Sequence, residues 1–434
     1  MSTEPLASRA GKSGFAMLSS KLDHLITFGR LTVRLPRETI SVGTIDPSHP
    51  ESRLDVVIRI KNRATALKLA LNPDLYLGEA YMDGDVEMEQ GTMWDLLALV
   101  GFNIAQRPPG ETAWQRLATR GLSVILHRNS LRASRRNVAH HYDLSGDMYR
   151  MFLDQDLQYS CAYFRSPEET IDQAQVHKKQ HIIAKLLLKP GQRVLDIGCG
   201  WGGLALSIAK AEDVRVLGIT LSKEQLAVAR ERAKAEGLAD RVSFELIDYR
   251  QLQDRFDRIV SVGMFEHVGP PQYETYFGQV NRLLKPNGVA LVHSIGKMHG
   301  PAPTNSFIRK YIFPGGYIPA LSEVMTPIER SGLWITDLEI LRLHYADTLR
   351  AWRERFLERA DKLEGIYDDR FRRMWEFYLA GSEMSFRYYG FMVFQAQLSR
   401  AIDAVPVTRD YMVEAERALR GRASERTGAD LRAR

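Results

Sequence analysis

The chain has 434 residues, 44% of them hydrophobic and 26% charged, which supports a packed core and excludes wholesale disorder. That length carries one large core with an appended domain, or two domains. The formal charge of +6 fits nucleic acid, an anionic membrane or neither, but no zinc-finger spacing, helix-turn-helix signature or stacking-aromatic motif points to nucleic acid. No run approaches the roughly 18 uninterrupted apolar residues that cross a bilayer. The start, MSTEPLASRAGKSG, has no apolar core and carries an early acid, so it does not read as a secretory signal, and the expected compartment is the cytoplasm. Two cysteines, Cys161 and Cys199, are too few for a disulfide framework.

Residues 1–110 read as a small α+β domain. A helix is expected over 15–28, and LTVRLP and RLDVVIRI alternate as strands do. ALKLALNPDLYLGEAYMDGDVEME has a helical pattern broken at Asn72-Pro73 and at Asp83-Gly84, and another helix is expected over 93–102. No catalytic cluster is visible there. Residues 111–136 form a basic linker. Arg116, Arg120, Arg128, Arg132, Arg135 and Arg136 alternate with Trp114, Leu117, Leu122, Val124, Ile125 and Leu126, with no acid between Thr112 and His140. This is either a solvated helix and linker or a surface that meets lipid headgroups.

The main domain is expected over 137–410, followed by a polar charged tail over 411–434. HHYDLSGDMYRMFLDQDLQYSCAYF is dense in aromatics and His. EETIDQAQVHKKQHIIAKLLL reads as a helix, acidic in its first turn and lysine-bearing in its last. From Gly191 strands alternate with helices: RVLDIG, GGLALSIAKA, VRVLGIT, SKEQLAVARERAKAEGL, VSFELID, FDRIVSVG, YETYFGQVNRLLKPNG and VALVHSIG. That order predicts an α/β fold, a mostly parallel sheet covered on both faces. The stretch 319–405 is expected to be mainly helical, with strands from WITDLEILRLHY. In such a strand His344 and Tyr345 would point to opposite sides.

The loop Asp196-Ile197-Gly198-Cys199-Gly200-Trp201-Gly202-Gly203 offers a tight turn and free N–H groups at a helix start. VLDIGCGWGG resembles motif one of the class I methyltransferases, with their Rossmann-like sheet. The resemblance implies that Asp196 organises the loop and reaches the amino acid end of S-adenosylmethionine, while Gly198 and Gly200 let the cofactor lie close. Asp248 and Tyr249 suit the adenine edge and face; alternatively Asp248 caps a strand-end turn. The second strand ends in Thr220, without the acid that grips a ribose, which weighs against a nicotinamide enzyme. Thr220, Ser222 and Gln225 could supply hydrogen bonds instead. Tyr159, Ser160 and Leu221 complete the expected cofactor contacts. Cys199 is a small loop residue packed on the sheet.

HYDLSGDMY, QYSCAYF, VLDIGCGWGG, GITLSKEQ, DYR, SVGMFEHVG, HSIG, YIFPGGYIP, LRLHYADTL and WEFYLAGSE together resemble cyclopropane-fatty-acyl-phospholipid synthase, related to the mycolic acid cyclopropane synthases. The resemblance is strong over 137–410 and looser before it. It implies attack by an acyl-chain alkene on the methyl of S-adenosylmethionine, then loss of a proton and ring closure. It also implies a bound bicarbonate as base, at Cys161, Glu266, His293, Ile295 and Tyr345. His293 and Tyr345 would donate to the anion, as would the Ile295 N–H; Cys161 would add backbone or thiol contacts. Glu266 would accept the bicarbonate O–H or orient His293. An apolar, aromatic pocket is expected, from residues such as Tyr159, Phe265, Tyr273, Tyr311, Phe313, Tyr317 and the cluster 375–394, or else these are helix-packing core. His140, His141 and Asp143 line the cleft or cap a helix, and no metal is expected. Implied partners are membrane phospholipid acyl chains, met peripherally at the inner face of the cell membrane, and a second copy as homodimer. The alternatives are a branched or furan-type lipid product, a small-molecule N- or O-methyltransferase, and a non-catalytic lipid-binding protein.

Overall fold

The computed structural model describes residues 6–107, 146–360 and 367–432. The basic stretch Arg116–Arg136 and His140, His141 and Asp143 lie outside these residues. No helix among the described residues is long and apolar enough to cross a membrane.

The described residues form two compact units. One comprises those up to Arg107 with Thr304–Pro314 and Leu349–Phe391; the other comprises those from Gly146 to Pro303, Gly315–Thr348 and those from Met392. In the first unit, α1 (Leu6–Leu25) precedes β1 (Arg30–Leu35), β2 (Glu38–Val42) and β3 (Asp55–Ile60). Then come α2 (Arg63–Leu71), α3 (Pro73–Met82), β4 (Val86–Gln90) and α4 (Met93–Ala105). The sheet order is β2-β1-β3-β4. The expected break falls between α2 and α3, where Asn72 ends one helix and Pro73 starts the next. The first helix begins well before Phe15, and β2 was not expected; its alternating exposure marks it as a half-solvated edge strand.

The second unit opens with α5 (Gly146–Phe152) and α6 (Ile171–Leu186). Next are β5 (Arg193–Ile197), α7 (Gly203–Ala211), β6 (Arg215–Thr220), α8 (Lys223–Ala235), β7 (Val242–Leu246) and β8 (Phe256–Val262). They are followed by α9 (Tyr273–Leu283), β9 (Leu284–Lys297), α10 (Leu321–Arg330), β10 (Trp334–Leu341), the start of α11 (His344–Glu358), β11 (Phe391–Ser399) and α13 (Asp410–Arg432), while the rest of α11 and all of α12 (Asp369–Tyr388) belong to the first unit. Seven strands run in the order β10-β11-β9-β8-β5-β6-β7, parallel from β9 to β7. Each face has its own core. Leu195, Ile197, Leu217, Ile219, Ile259, Ala290 and Val292 enter one, while Val194, Val216, Val260 and Leu291 enter the other. This is the period of two expected of strands buried on both faces.

Two expectations for the late stretch are corrected. LRLHY is not strand throughout: the strand ends at Leu341 and a helix starts at His344. The buried residues Ala346, Leu349, Trp352 and Phe356 recur at helical spacing, so burying that stripe selects the helix. Residues 391–399 are not helical but form β11, antiparallel to β10. Gly390, at φ +65°, stops α12 in a conformation that costs glycine little.

Candidate active site

The parallel strands end in loops on one side of the second unit, where open α/β sheets hold ligands. All ten residues expected to meet the cofactor, Tyr159, Ser160, Asp196, Gly198, Gly200, Thr220, Leu221, Gln225, Asp248 and Tyr249, line one cavity there. Strand β5 delivers Asp196, and the chain then turns through Gly198, Gly200 and Gly202, all at positive φ. The Gly198 and Cys199 amides donate to Ile219 O at 2.9 and 3.0 Å, which ties the loop to the next strand. A Cβ on Gly200 would meet nothing within 4 Å, so this glycine leaves space over the loop. A Cβ on Gly202 would lie 2.7 Å from the Phe244 ring, so that glycine serves packing.

Asp196 is 2% exposed, and its Oδ2 has no hydrogen-bond partner. Burial pushes its carboxyl up to about 7, partly opposed by the Lys178 charge. Lys178 is fully buried and donates to Gln158 Oε1 at 2.6 Å and Ser160 Oγ at 2.9 Å. Burial draws its ammonium down to about 8, against the Asp154 carboxylate. The sequence reading missed Lys178. A signal existed, because Ile171, Ala174, Lys178, Ile182 and Lys185 share one buried helix face.

Asp196→Asn is expected to stabilise the cofactor-free protein. The folded pKa lies above the unfolded one, so stability is full below about pH 4 and falls as pH rises towards 7. The variant removes that loss, gaining on the order of 2 kcal/mol above pH 7 and nothing below pH 4. Melting curves at pH 4 and 8 check this; equal shifts at both would contradict it.

The other cofactor-side expectations separate. Asp248 accepts from the Arg250 amide at 3.0 Å and is clasped by the Arg250 guanidinium at 2.8 and 2.7 Å, so it both caps a turn and lines the cavity. The Arg250 guanidinium lies 5.5 Å from the Tyr249 ring centre, a placement not read from sequence. Thr220 donates to Gln225 Oε1 at 3.0 Å. Ser222 is corrected: it is not part of the cavity lining but caps α8, accepting from the Gln225 amide. Cys199 is buried against the sheet, as expected of a small loop residue.

None of the five reaction-site residues is part of that lining. Glu266 Oε1 accepts from the Ile295 amide at 2.7 Å, while its Oε2 is buried and unpartnered. Burial raises the Glu266 carboxyl to about 7, against the lowering effect of that amide. The Ile295 N–H is therefore corrected as an anion donor, because a carboxylate already takes it. Glu266 orients the Ile295 backbone, and His293 is held instead by Gln395, whose Nε2 lies 3.1 Å from His293 Nδ1. His293 and Ile295 lie two apart on β9 and so face the same side. Cys161 is 1% exposed, sends its S–H to Ala162 O at 3.3 Å, and has a thiol pushed up by burial, so it is no nucleophile. The Ala162 amide donates to Thr348 Oγ1 at 3.0 Å, which sets Cys161 beside the first turn of α11, where Tyr345 sits. His344 stacks on Tyr163 and accepts from the Phe164 amide. Of the aromatic candidates, Phe265 and Tyr273 stack at 4.5 Å in the core of the second unit. Tyr311 donates to Glu79 in the first.

The fold and the glycine loop define an S-adenosylmethionine-dependent transferase of class I methyltransferase type. The family profile of mycolic acid cyclopropane synthetase matches residues 129–396. The chain belongs to that family. It is 40% identical over 346 residues to the cyclopropane-fatty-acyl-phospholipid synthase of Escherichia coli K12, covering 80% of this chain and 88% of that protein. It is 46% identical over 257 residues to a probable fatty acid methyltransferase of Pseudomonas putida, covering 57% of this chain and 65% of that protein. A cyclopropane synthase structure from Mycobacterium tuberculosis superposes with TM-score 0.58 at 34% identity, over 61% of this chain and 97% of that one. The residues present fit the cofactor: open space over Gly200, and a buried Asp196 oxygen in want of a donor.

Proposed function

We propose that the enzyme adds a methylene carbon from S-adenosylmethionine across the cis double bond of an unsaturated phospholipid acyl chain. The products are a cyclopropane acyl chain, S-adenosylhomocysteine and a proton. The observation that carries this reading is Glu266, half-buried next to the cavity lining, with Oε1 satisfied by the Ile295 amide and a buried Oε2 unpartnered.

The cofactor supplies an electrophilic methyl group. Asp196, Thr220 and the glycine loop hold it, and the Asp248–Arg250 pair closes the cavity wall next to Tyr249. An alkene is a weak nucleophile, so the site must align it and keep out water, which would trap the cation as an alcohol. Bicarbonate bound near Glu266 would supply the base for the proton leaving the added methyl carbon. Glu266 Oε2 fits a group that brings its own O–H, and His293 and Tyr345 would be the side chains that donate to the anion. The acyl chain would be drawn from a membrane surface on which the protein docks.

The test incubates purified protein and S-adenosylmethionine with vesicles of a monounsaturated phospholipid, followed by mass spectrometry and proton NMR. One CH2 unit gained, with a ring resonance and no vinyl signal from that chain, is the expected result. The same gain with a surviving vinyl signal would mean a methylene-branched product. That second reading is favoured by the capture of the Ile295 amide, which leaves fewer donors for an anion, and by the similarity to a probable fatty acid methyltransferase.

A further inference from the structure

Gln395 and Lys185 are fully buried polar residues that no step of the proposed reaction uses. The Lys185 ammonium donates to Gln395 Oε1 at 2.7 Å. Lysine has only hydrogens to offer, so its partner on the amide must be the oxygen. The other end, the NH2 group, is then the one 3.1 Å from His293 Nδ1. An amide NH2 donates and does not accept. Nδ1 of His293 is therefore an acceptor without a proton, and in a neutral imidazole the proton sits on Nε2. Burial, then the charges of Lys178, Lys185 and His181, holds the His293 pKa well below its ordinary value, so the ring is neutral.

The arrangement is braced from behind. Lys185 is paired with Glu339, which also lies 2.7 Å from His181 Nε2. The other His181 nitrogen meets Glu416 on α13. Glu339 is held well below the usual carboxylate range by its His181 and Lys185 partners, despite its burial. A carboxylate behind Lys185 keeps the ammonium charged in the interior and so keeps the amide from turning over.

We propose that Lys185 and Gln395 are positioning residues that lock His293 in the Nε2–H tautomer. Locked in this way, His293 offers the reacting site a hydrogen-bond donor and no lone pair. It then stabilises an anion or a carboxylate and is excluded as the base that takes the proton. This role in the reaction rests on the reading of His293 as a site residue; the tautomer itself does not.

The test uses the full chain labelled with 15N-histidine, and long-range proton–nitrogen NMR at pH 7. His293→Gln assigns the resonances. The wild type is expected to show an unprotonated Nδ1 and a protonated Nε2. Gln395→Glu keeps the shape and the Lys185 contact but turns a carboxylate oxygen to Nδ1. It is expected to move the proton to Nδ1 and to lower kcat roughly 10- to 100-fold, as loss of an orienting hydrogen bond does elsewhere, with cofactor Kd held within about twofold. Lys185→Met frees the amide to turn and should give mixed tautomers, while Lys185→Arg should restore the wild-type pattern. A protonated Nδ1 in the wild type overturns the lock. A Gln395→Glu protein with a moved proton and wild-type kcat overturns the positioning role. The expected tautomers in a wild-type protein that makes no cyclopropane would leave the lock standing and remove the proposed reaction instead.

Discussion

Glu266→Gln lowers turnover by roughly 10²- to 10⁴-fold, the range for losing a group that moves or holds a proton in the transition state. Gln keeps an oxygen for the Ile295 amide, so that buried donor stays satisfied and the backbone of β9 stays in place. Ala would not, leaving an orphaned N–H at a cost of about 1–3 kcal/mol, and would confuse stability with chemistry. The carboxyl at Glu266 is raised to about 7, chiefly by burial. Its ionisation therefore works against the fold as pH rises from the unfolded value towards 7, and Gln removes that cost. Glu266→Gln should melt no lower than the wild type at pH 8, bind S-adenosylmethionine within about twofold and yet scarcely turn over. Steady-state rates beside calorimetric binding decide it. Retention of turnover within about threefold would falsify a chemical role for Glu266 and leave it a brace for Ile295.

Two alanine substitutions in one loop are expected to fail in opposite ways. At Gly200 the backbone is left-handed, φ +54°, and the added methyl would enter open space in the cavity. The fold loses about 1–2 kcal/mol for the conformation, while cofactor affinity falls about 100-fold because the methyl occupies the ligand's volume. At Gly202, φ +85°, the methyl would meet the Phe244 ring at 2.7 Å and Ala229 Cβ at 3.0 Å. Conformation and overpacking then add to about 3–5 kcal/mol, a large share of a typical domain's stability. Gly200→Ala should be a folded protein that binds poorly, and Gly202→Ala one that is scarcely recovered folded. Thermal melts and titration calorimetry on both measure the contrast. A Gly200→Ala protein with wild-type affinity would mean that the cofactor lies elsewhere.

Much of the fold follows from local pattern. The alternation of β5, β6 and β9 residues between the two cores and the strand–helix alternation from Gly191 need only neighbours in the chain, because side-chain direction repeats with the backbone. Of the ten cofactor-side residues, Asp196, Gly198, Gly200, Thr220, Leu221, Asp248 and Tyr249 sit at strand ends or in the turn after β5, where local pattern points to them; Tyr159 and Ser160, in the loop before α6, were expected only from the family resemblance. β11 was not legible, because its apolar run reads equally well as a buried helix until β10 is seen to pair with it. Tyr345 was placed on a strand because LRLHY carries too few residues to show the stripe that continues to Phe356.

By itself, then, the sequence determined the α/β sheet, the glycine loop and the set of side chains that ring it. Tertiary structure alone decided their chemical state. Glu266 captures the Ile295 amide across 29 residues, Gln395 reaches His293 across 102, and Lys185 reaches Gln395 across 210. No periodicity spans such separations. Each pairing arises because a polar atom stranded in the interior costs more than ordering a distant partner to meet it, and which partner is near depends on how the strands are ordered in the sheet.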